Sequence, residues 1–110
     1  MKPELLEIKP HDAISAFLKW NTGDSYRIAY FEMRFQCPCA VCVDEHSGER
    51  IISRKSISPD IRVTSIRPIG RYALAIHFSD HHTTGIFDFD LLFKISVEQG
   101  IPLLETPNEI

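Results

Sequence analysis

The chain is short of positive charge, of long apolar runs and of cysteine, and each shortage excludes a class of protein. Lys and Arg number 12 against 15 Asp and Glu, for a formal net charge of -3. A surface of that sign is poorly suited to nonspecific nucleic-acid binding, which needs cations to displace phosphate counterions. The local basic group Arg50, Arg54 and Lys55 reads as a solvated loop. No apolar stretch approaches the roughly 20 residues that span a bilayer, so no membrane association is expected. Met1-Lys2-Pro3-Glu4 leads into no apolar h-region, so no secretory signal is expected either. The three cysteines all fall between Cys37 and Cys42. An odd number packed that tightly does not make a disulfide scaffold, whose bridges join distant segments. A reducing compartment, the cytoplasm, and a metal site fit this spacing better.

What is present is an ordinary globular composition, 44% hydrophobic and 25% charged over 110 residues. That length bounds the chain to one domain, residues 1–110, with a core over about 10–96 and a tail over 97–110. A domain of this size is marginally stable, and an internal metal would help it.

Residues 1–11 read as a polar lead-in with Pro3 and Pro10. Ile14, Ala16, Leu18 and Trp20 then alternate with Ser15, Phe17 and Lys19, the period of a half-buried strand. Asn21-Thr22-Gly23-Asp24 is a turn. Tyr26 and Ile28 continue the alternation, and a helical turn over 30–35 leads into the cysteines. Residues 44–60 form a polar loop with a weak strand at Ile51-Ile52. Ile61, Val63 and Ser65 alternate again. The clearest strand sets Tyr72, Leu74, Ile76 and Phe78 on one face against Ala73, Ala75 and His77 on the other. Ser79-Asp80-His81-His82 turns the chain and Thr84 to Phe87 returns it. Asp88 is placed to cap a helix through Leu91, Leu92 and Ile95 that Gly100 stops. Pro102 and Pro107 mark a frayed tail. The fold class is therefore α+β: antiparallel hairpins with short helices.

A shift of 58 residues superimposes the two halves without a gap. Leu18 falls on Ile76, Trp20 on Phe78, Ile28 on Ile86, Phe31 on Phe89, Met33 on Leu91 and Phe35 on Phe93. Internal duplication of a hairpin-helix unit is one explanation; two unrelated hairpins with a common apolar pattern is the other. Pseudo-symmetric packing of two such units would bring the turn carrying His82 towards the cysteines.

Cys37-Pro38-Cys39-Ala40-Val41-Cys42 concentrates three soft thiolates, with a C-x-x-C chelate loop at its end. Thiolate and imidazole donors suit tetrahedral zinc. An iron–sulfur cluster on three cysteines and free thiols are the alternatives. A redox C-x-x-C would ordinarily open a helix in a βαβ unit, which this chain lacks. The fourth ligand has five histidine candidates. His11 sits in the lead-in, His46 in a polar loop and His77 in mid-strand, whereas His81 and His82 share a turn. Ligand chemistry does not separate His81 from His82.

Phe35-Gln36-Cys37-Pro38-Cys39-Ala40-Val41-Cys42, then Ile69-Gly70-Arg71-Tyr72-Ala73-Leu74, then Ile76-His77-Phe78-Ser79-Asp80-His81-His82-Thr83-Thr84-Gly85-Ile86-Phe87 together resemble the DUF971 family, the gamma-butyrobetaine hydroxylase-like N-terminal domain. The resemblance covers roughly residues 10–96. The family's second motif runs aromatic-Ser-Asp-Gly-His-x-x-Gly-Ile-aromatic, which places its histidine on His82 and its first glycine on His81. The resemblance implies a structural zinc on Cys37, Cys39, Cys42 and His82. His81 departs from the family pattern by putting a bulky side chain in the turn. Members occur ahead of iron- and 2-oxoglutarate-dependent hydroxylases, fused to Mrp-like P-loop ATPases, or alone in bacteria.

Oxygenase chemistry is not expected of this chain. Its iron triad needs two histidines and a carboxylate, and the H-x-D/E start is missing: His77 is followed two residues on by Ser79, His11 by Ala13. Two functions remain. The first is a zinc-binding module without its own catalysis that docks a protein partner or its own copy. The second is an accessory factor in iron–sulfur cluster assembly or transfer that uses the same cysteines. A catalytic zinc, with water in place of His82 and Asp80 or Asp24 as base, is a weaker third, because both aspartates read as turn residues.

Overall fold

The computed structural model describes residues 2–39, 42–44 and 46–103. It is a small mixed α+β fold with two antiparallel sheets. One sheet is ordered β1-β2-β3-β7, from β1 (Leu5–Asp12), β2 (Ser15–Trp20), β3 (Ser25–Ala29) and β7 (Ile101–Leu103). The other is ordered β4-β5-β6, from β4 (Val63–Ile69), β5 (Ala73–Phe78) and β6 (Gly85–Asp88). Helix α1 (Tyr30–Phe35) follows β3, and α2 (Phe89–Gln99) follows β6.

The alternating stretches became the central strands. Ala16, Leu18 and Trp20 of β2, with Leu74, Ile76 and Phe78 of β5, are buried in one apolar cluster with Ile28, Met33, Phe87 and Leu92. Ile14 and Tyr72 are the exceptions to that pattern. Each lies in the turn before its strand and is exposed, and their carbonyls accept the Tyr30 N–H at 2.8 Å and the Phe89 N–H at 2.7 Å. Asp88 does cap α2, its Oδ1 accepting the Leu91 N–H at 2.7 Å. Gly100 ends the helix with φ -81°, so a left-handed bend is not its reason. A Cβ there would lie 2.5 Å from the Ser96 carbonyl oxygen, which the Gly100 N–H approaches to 3.0 Å.

Three expectations fail at the margins. The lead-in is strand β1, on which only Leu5 and Ile8 are even half-buried. The start of the expected tail is strand β7, paired with β3 through Ser25↔Leu103 and Arg27↔Ile101. Pro107 and the rest of 104–110 lie outside the described residues. Prolines 10, 68 and 102 all sit on outer strands of their sheets, where a missing N–H costs no ladder bond. Ile51-Ile52 forms no strand. Both N–H groups point to the Cys42 carbonyl, at 2.7 and 3.4 Å, and only Val43 and Arg50 make an isolated bridge beside them.

The chain builds the same β-β-β-α unit twice. Leu5↔Trp20, Glu7↔Lys19, Ile8↔Leu18 and Pro10↔Ala16 recur 58 residues on as Val63↔Phe78, Ser65↔His77, Ile66↔Ile76 and Pro68↔Leu74, including the bulge after the first pair. The turns also agree. Gly23 donates to the Trp20 carbonyl and His81 to that of Phe78, both at 3.1 Å. Beyond the turns the offset becomes 59. Ala16↔Ile28 corresponds to Leu74↔Phe87, so Ile28 matches Phe87 and not Ile86. Burial agrees, since Ile28 and Phe87 are fully buried while Ile86 is 52% exposed. Met33 likewise matches Leu92 in place of Leu91. The additional residue lies between His82 and Gly85, and an ungapped comparison of the halves misplaces everything after it.

Each unit lays its helix over the turn end of the other's central strand. Trp20 at the end of β2 meets Phe89 and Phe93 of α2 edge-on, and its Nε1–H donates to Ser96 Oγ at 3.1 Å. Arg34 of α1 reaches Asp80 just past β5. This exchange carries the chain leaving α1 to the turn that bears His82.

Candidate metal centre

Helix α1 ends at Phe35, and the Cys37 N–H still bonds the Arg34 carbonyl at 3.2 Å, which sets Cys37 one residue past the last turn. The Cys42 and Val43 N–H groups both bond the Cys39 carbonyl at 3.0 Å, closing the chelate loop. Ala40 and Val41 inside that loop lie outside the described residues. From the other unit comes His82, whose N–H donates to Asp80 Oδ1 at 3.2 Å. Its Nε2 stands 3.1 Å from Cys37 Sγ, 3.5 Å from Cys39 Sγ and 3.8 Å from Cys42 Sγ. All four ligand atoms lie within 4.8 Å of one another. Cys37 and Cys42 are buried, Cys39 and His82 partly so. The cysteines are not joined in a disulfide.

The spacing and the donor set fit a tetrahedral metal ion. Zn–S bonds of about 2.3 Å and a Zn–N bond of about 2.0–2.1 Å at tetrahedral angles give an S···N edge of about 3.6 Å. The three observed edges straddle that value. Electrostatics point the same way. Burial pushes the Cys37 thiol up to about 12, reinforced by the neighbouring Cys42 and Cys39. Three thiolates this close repel one another, and a central cation removes that repulsion. Burial, and then the charge of Arg34, lower the His82 pKa and favour the neutral imidazole that binds metals, against a smaller opposing effect of Asp80.

The four residues that the family resemblance assigns thus meet. His81 does not join them: it is exposed, with φ +67°, and lies outside the group. His46 sits on an exposed loop turn, His77 in β5 and His11 in β1. Asp24 bonds Thr22 within its own turn, at 3.1 Å.

Four neighbours of the group were given no part in it by the sequence, and one of them, Arg50, is half-buried against the site and not in the solvated loop expected of it. Arg34 is buried at 6% exposure. Its Nη1 donates to Cys42 Sγ at 3.1 Å and its Nε to Asp80 Oδ2 at 2.9 Å. Burial opposes its charge, but the bonds to Cys42 and Asp80 outweigh that and raise its pKa. Gly85 lets the β6 backbone approach Cys37, since a Cβ there would stand 3.1 Å from Cys37 Sγ and 2.9 Å from the Phe87 ring. Thr84 Oγ1 donates to Cys39 Sγ at 3.2 Å, and Arg50 Nη1 to the Cys37 carbonyl at 2.7 Å. The available signal was a charged residue on a short apolar helix, three positions before the first cysteine.

Among solved structures, a protein of unknown function of the DUF971 family from Acidithiobacillus ferrooxidans ATCC 23270 is similar at 29% identity and TM-score 0.65, over 86% of this chain and 94% of that one. Two proteins solved by NMR in solution share the fold. One has 18% identity and TM-score 0.67, over 86% of this chain and 69% of its own; the other has 22% and 0.62, over 88% and 75%. No curated protein matches the chain. The profile of the family described as gamma-butyrobetaine hydroxylase-like, N-terminal matches residues 14–93, a span running from the first central strand into the second helix and containing all four residues of the Cys₃His group. This chain therefore belongs to the gamma-butyrobetaine hydroxylase-like N-terminal family.

Proposed function

We propose that the protein is a zinc-binding module in which Cys37, Cys39, Cys42 and His82 hold one structural ion, and that it acts as an accessory or docking domain without catalysis of its own. The observation that carries this reading is the convergence of four soft or borderline donors from two units of the fold. Three lie within one six-residue stretch, Cys37 to Cys42, and the fourth lies 40 residues beyond Cys42. A ligand set that is complete within the chain leaves no position for substrate, which is the pattern of structural zinc. The metal would tie the chain leaving α1 to the β5–β6 turn, so its binding free energy adds to folding free energy. Cysteines that serve as ligands need a reducing compartment, and the cytoplasm is the one proposed. No helix among the described residues is long and apolar enough to cross a membrane. The partner proposed is another protein or a second copy of the chain.

The test is metal analysis of protein purified without added metal or chelator, with thermal unfolding of wild type and Cys39→Ser, each with and without chelator. About one zinc per chain is expected for a single four-ligand site. Chelator should lower the wild-type melting temperature, and Cys39→Ser should start low and respond little. A brown preparation containing iron and sulfide would replace this reading with the iron–sulfur accessory function. A folded, metal-free protein with three freely titrating thiols would defeat both.

A further inference from the structure

Beside the four ligands lies a charged group that the ligand set alone does not explain. Arg34 is among the few buried polar residues of the described chain, and the only buried charged one. Desolvating a guanidinium is costly unless its donors are matched to acceptors. Arg34 matches two of them across the unit boundary: Nη1 to Cys42 Sγ at 3.1 Å and Nε to Asp80 Oδ2 at 2.9 Å. Asp80 in turn accepts the His82 N–H on its other oxygen, at 3.2 Å. One planar side chain thus touches a sulfur donor directly and reaches the imidazole donor's backbone through one carboxylate. Lysine could not make both contacts with the same geometry, because it presents a point charge and not a fork.

The charge count gives this arrangement a purpose. A divalent ion with three thiolates and a neutral imidazole carries one net negative charge. An Arg–carboxylate pair is neutral as a whole but polar, and here its positive end faces the sulfur. We propose that Arg34 is the positioning residue of the metal centre: it holds the Cys42 sulfur in place by a charge-assisted hydrogen bond and, through Asp80, fixes the turn that presents His82. This rests on the metal-binding reading above. Arg34 reaches the ligands from α1, so it also places the helix in the same unit of structure as the metal.

The experiment measures Zn²⁺ affinity by competition with a chromophoric chelator in wild type, Arg34→Lys, Arg34→Met and Asp80→Asn, and follows Co²⁺-substituted forms by absorption. Outer partners of metal ligands are worth roughly 10–100-fold in affinity. Arg34→Met should lose about that factor, and Asp80→Asn part of it. Arg34→Lys should recover only part of the loss. The thiolate-to-cobalt charge-transfer band should shift in Arg34→Met, because one sulfur loses a charge-assisted hydrogen bond. Combining Arg34→Met with Cys42→Ser supplies the control. If Arg34 acts on Cys42, its effect shrinks in the Cys42→Ser background; an undiminished effect there overturns the proposal. Unchanged affinity and an unshifted cobalt band in Arg34→Met overturn it as well, while leaving the metal centre standing. Should Arg34→Met fail to fold, Asp80→Asn and Arg34→Lys decide, and wild-type behaviour in both overturns it. A wild type that binds neither ion defeats the metal-binding reading itself, a result separate from the others.

Discussion

His81 is the position where backbone geometry and sequence disagree most openly, and replacing it with glycine should stabilise the protein. Its φ is +67°, the one positive value at a non-glycine residue among the described residues. A Cβ in the left-handed region costs roughly 1–2 kcal/mol. Glycine gives back roughly 0.4–1 kcal/mol through the greater freedom of the unfolded chain. The imidazole offers little to set against this, since it is exposed and outside the ligand group. The net expectation for His81→Gly is about 0.5–1 kcal/mol of added stability, or a melting temperature about 2–6 °C higher at this chain length. The equivalent place in the first unit supplies the control. Gly23 has φ +94°, and nothing lies within 4 Å of where a Cβ would stand, so Gly23→Ala tests backbone strain without a clash. It should destabilise by about 1 kcal/mol or slightly more. Both variants should be melted with saturating zinc and again with chelator, because backbone strain acts in either state. A lower or unchanged melting temperature for His81→Gly would refute the reasoning, and so would a gain seen only with metal.

Other outcomes follow from single contacts. Gly85→Ala should cost about 1–3 kcal/mol in denaturant unfolding, as overpacking does, because the new methyl meets Cys37 Sγ and the Phe87 ring; metal retention should fall with it. Ser96→Ala leaves the buried Trp20 indole N–H without its acceptor, and should cost about 1–3 kcal/mol, with a changed emission from the single tryptophan. Chelator-stripped protein should lose stability as pH falls below about 6.5, the ordinary histidine value, because His82 is held below it and the unfolded chain then binds more protons. On the alkaline side the sign reverses. Cys37 is pushed up to about 12, so the folded stripped protein keeps a proton the unfolded chain gives up, and stability should decline above the ordinary thiol range; urea midpoints across pH, with and without metal, check both arms.

How much of this could be read from the residues depends on where each signal is written. A strand buried on one face writes its burial into a period of two, so β2, β3 and β5 and the turns between them were legible. Helix α1 was legible at both ends, and the Asp88 cap was legible because its hydrogen bond is local. Strands β1 and β7 were not, since an outer strand with little buried surface has little reason to alternate, and its partner alone makes it a strand. The repeat was visible, but not the one-residue change of offset after the second turn, since Ile86 and Phe87 are both apolar and only the pairing register tells which faces inward.

The candidate metal centre divides in the same way. Donor chemistry and family pattern named Cys37, Cys39, Cys42 and His82, because ligand softness belongs to the residue type and short chelate spacing to the local chain. That the turn histidine comes within 3.1 Å of the first sulfur was decided by the crossed packing of the two units, with Trp20 against α2 and Arg34 against the β5–β6 turn. The same packing buried Arg34 and demanded glycine at 85. Contacts between residues 40 or more positions apart depend on how whole elements dock, and no local pattern of charge or hydrophobicity encodes that docking angle.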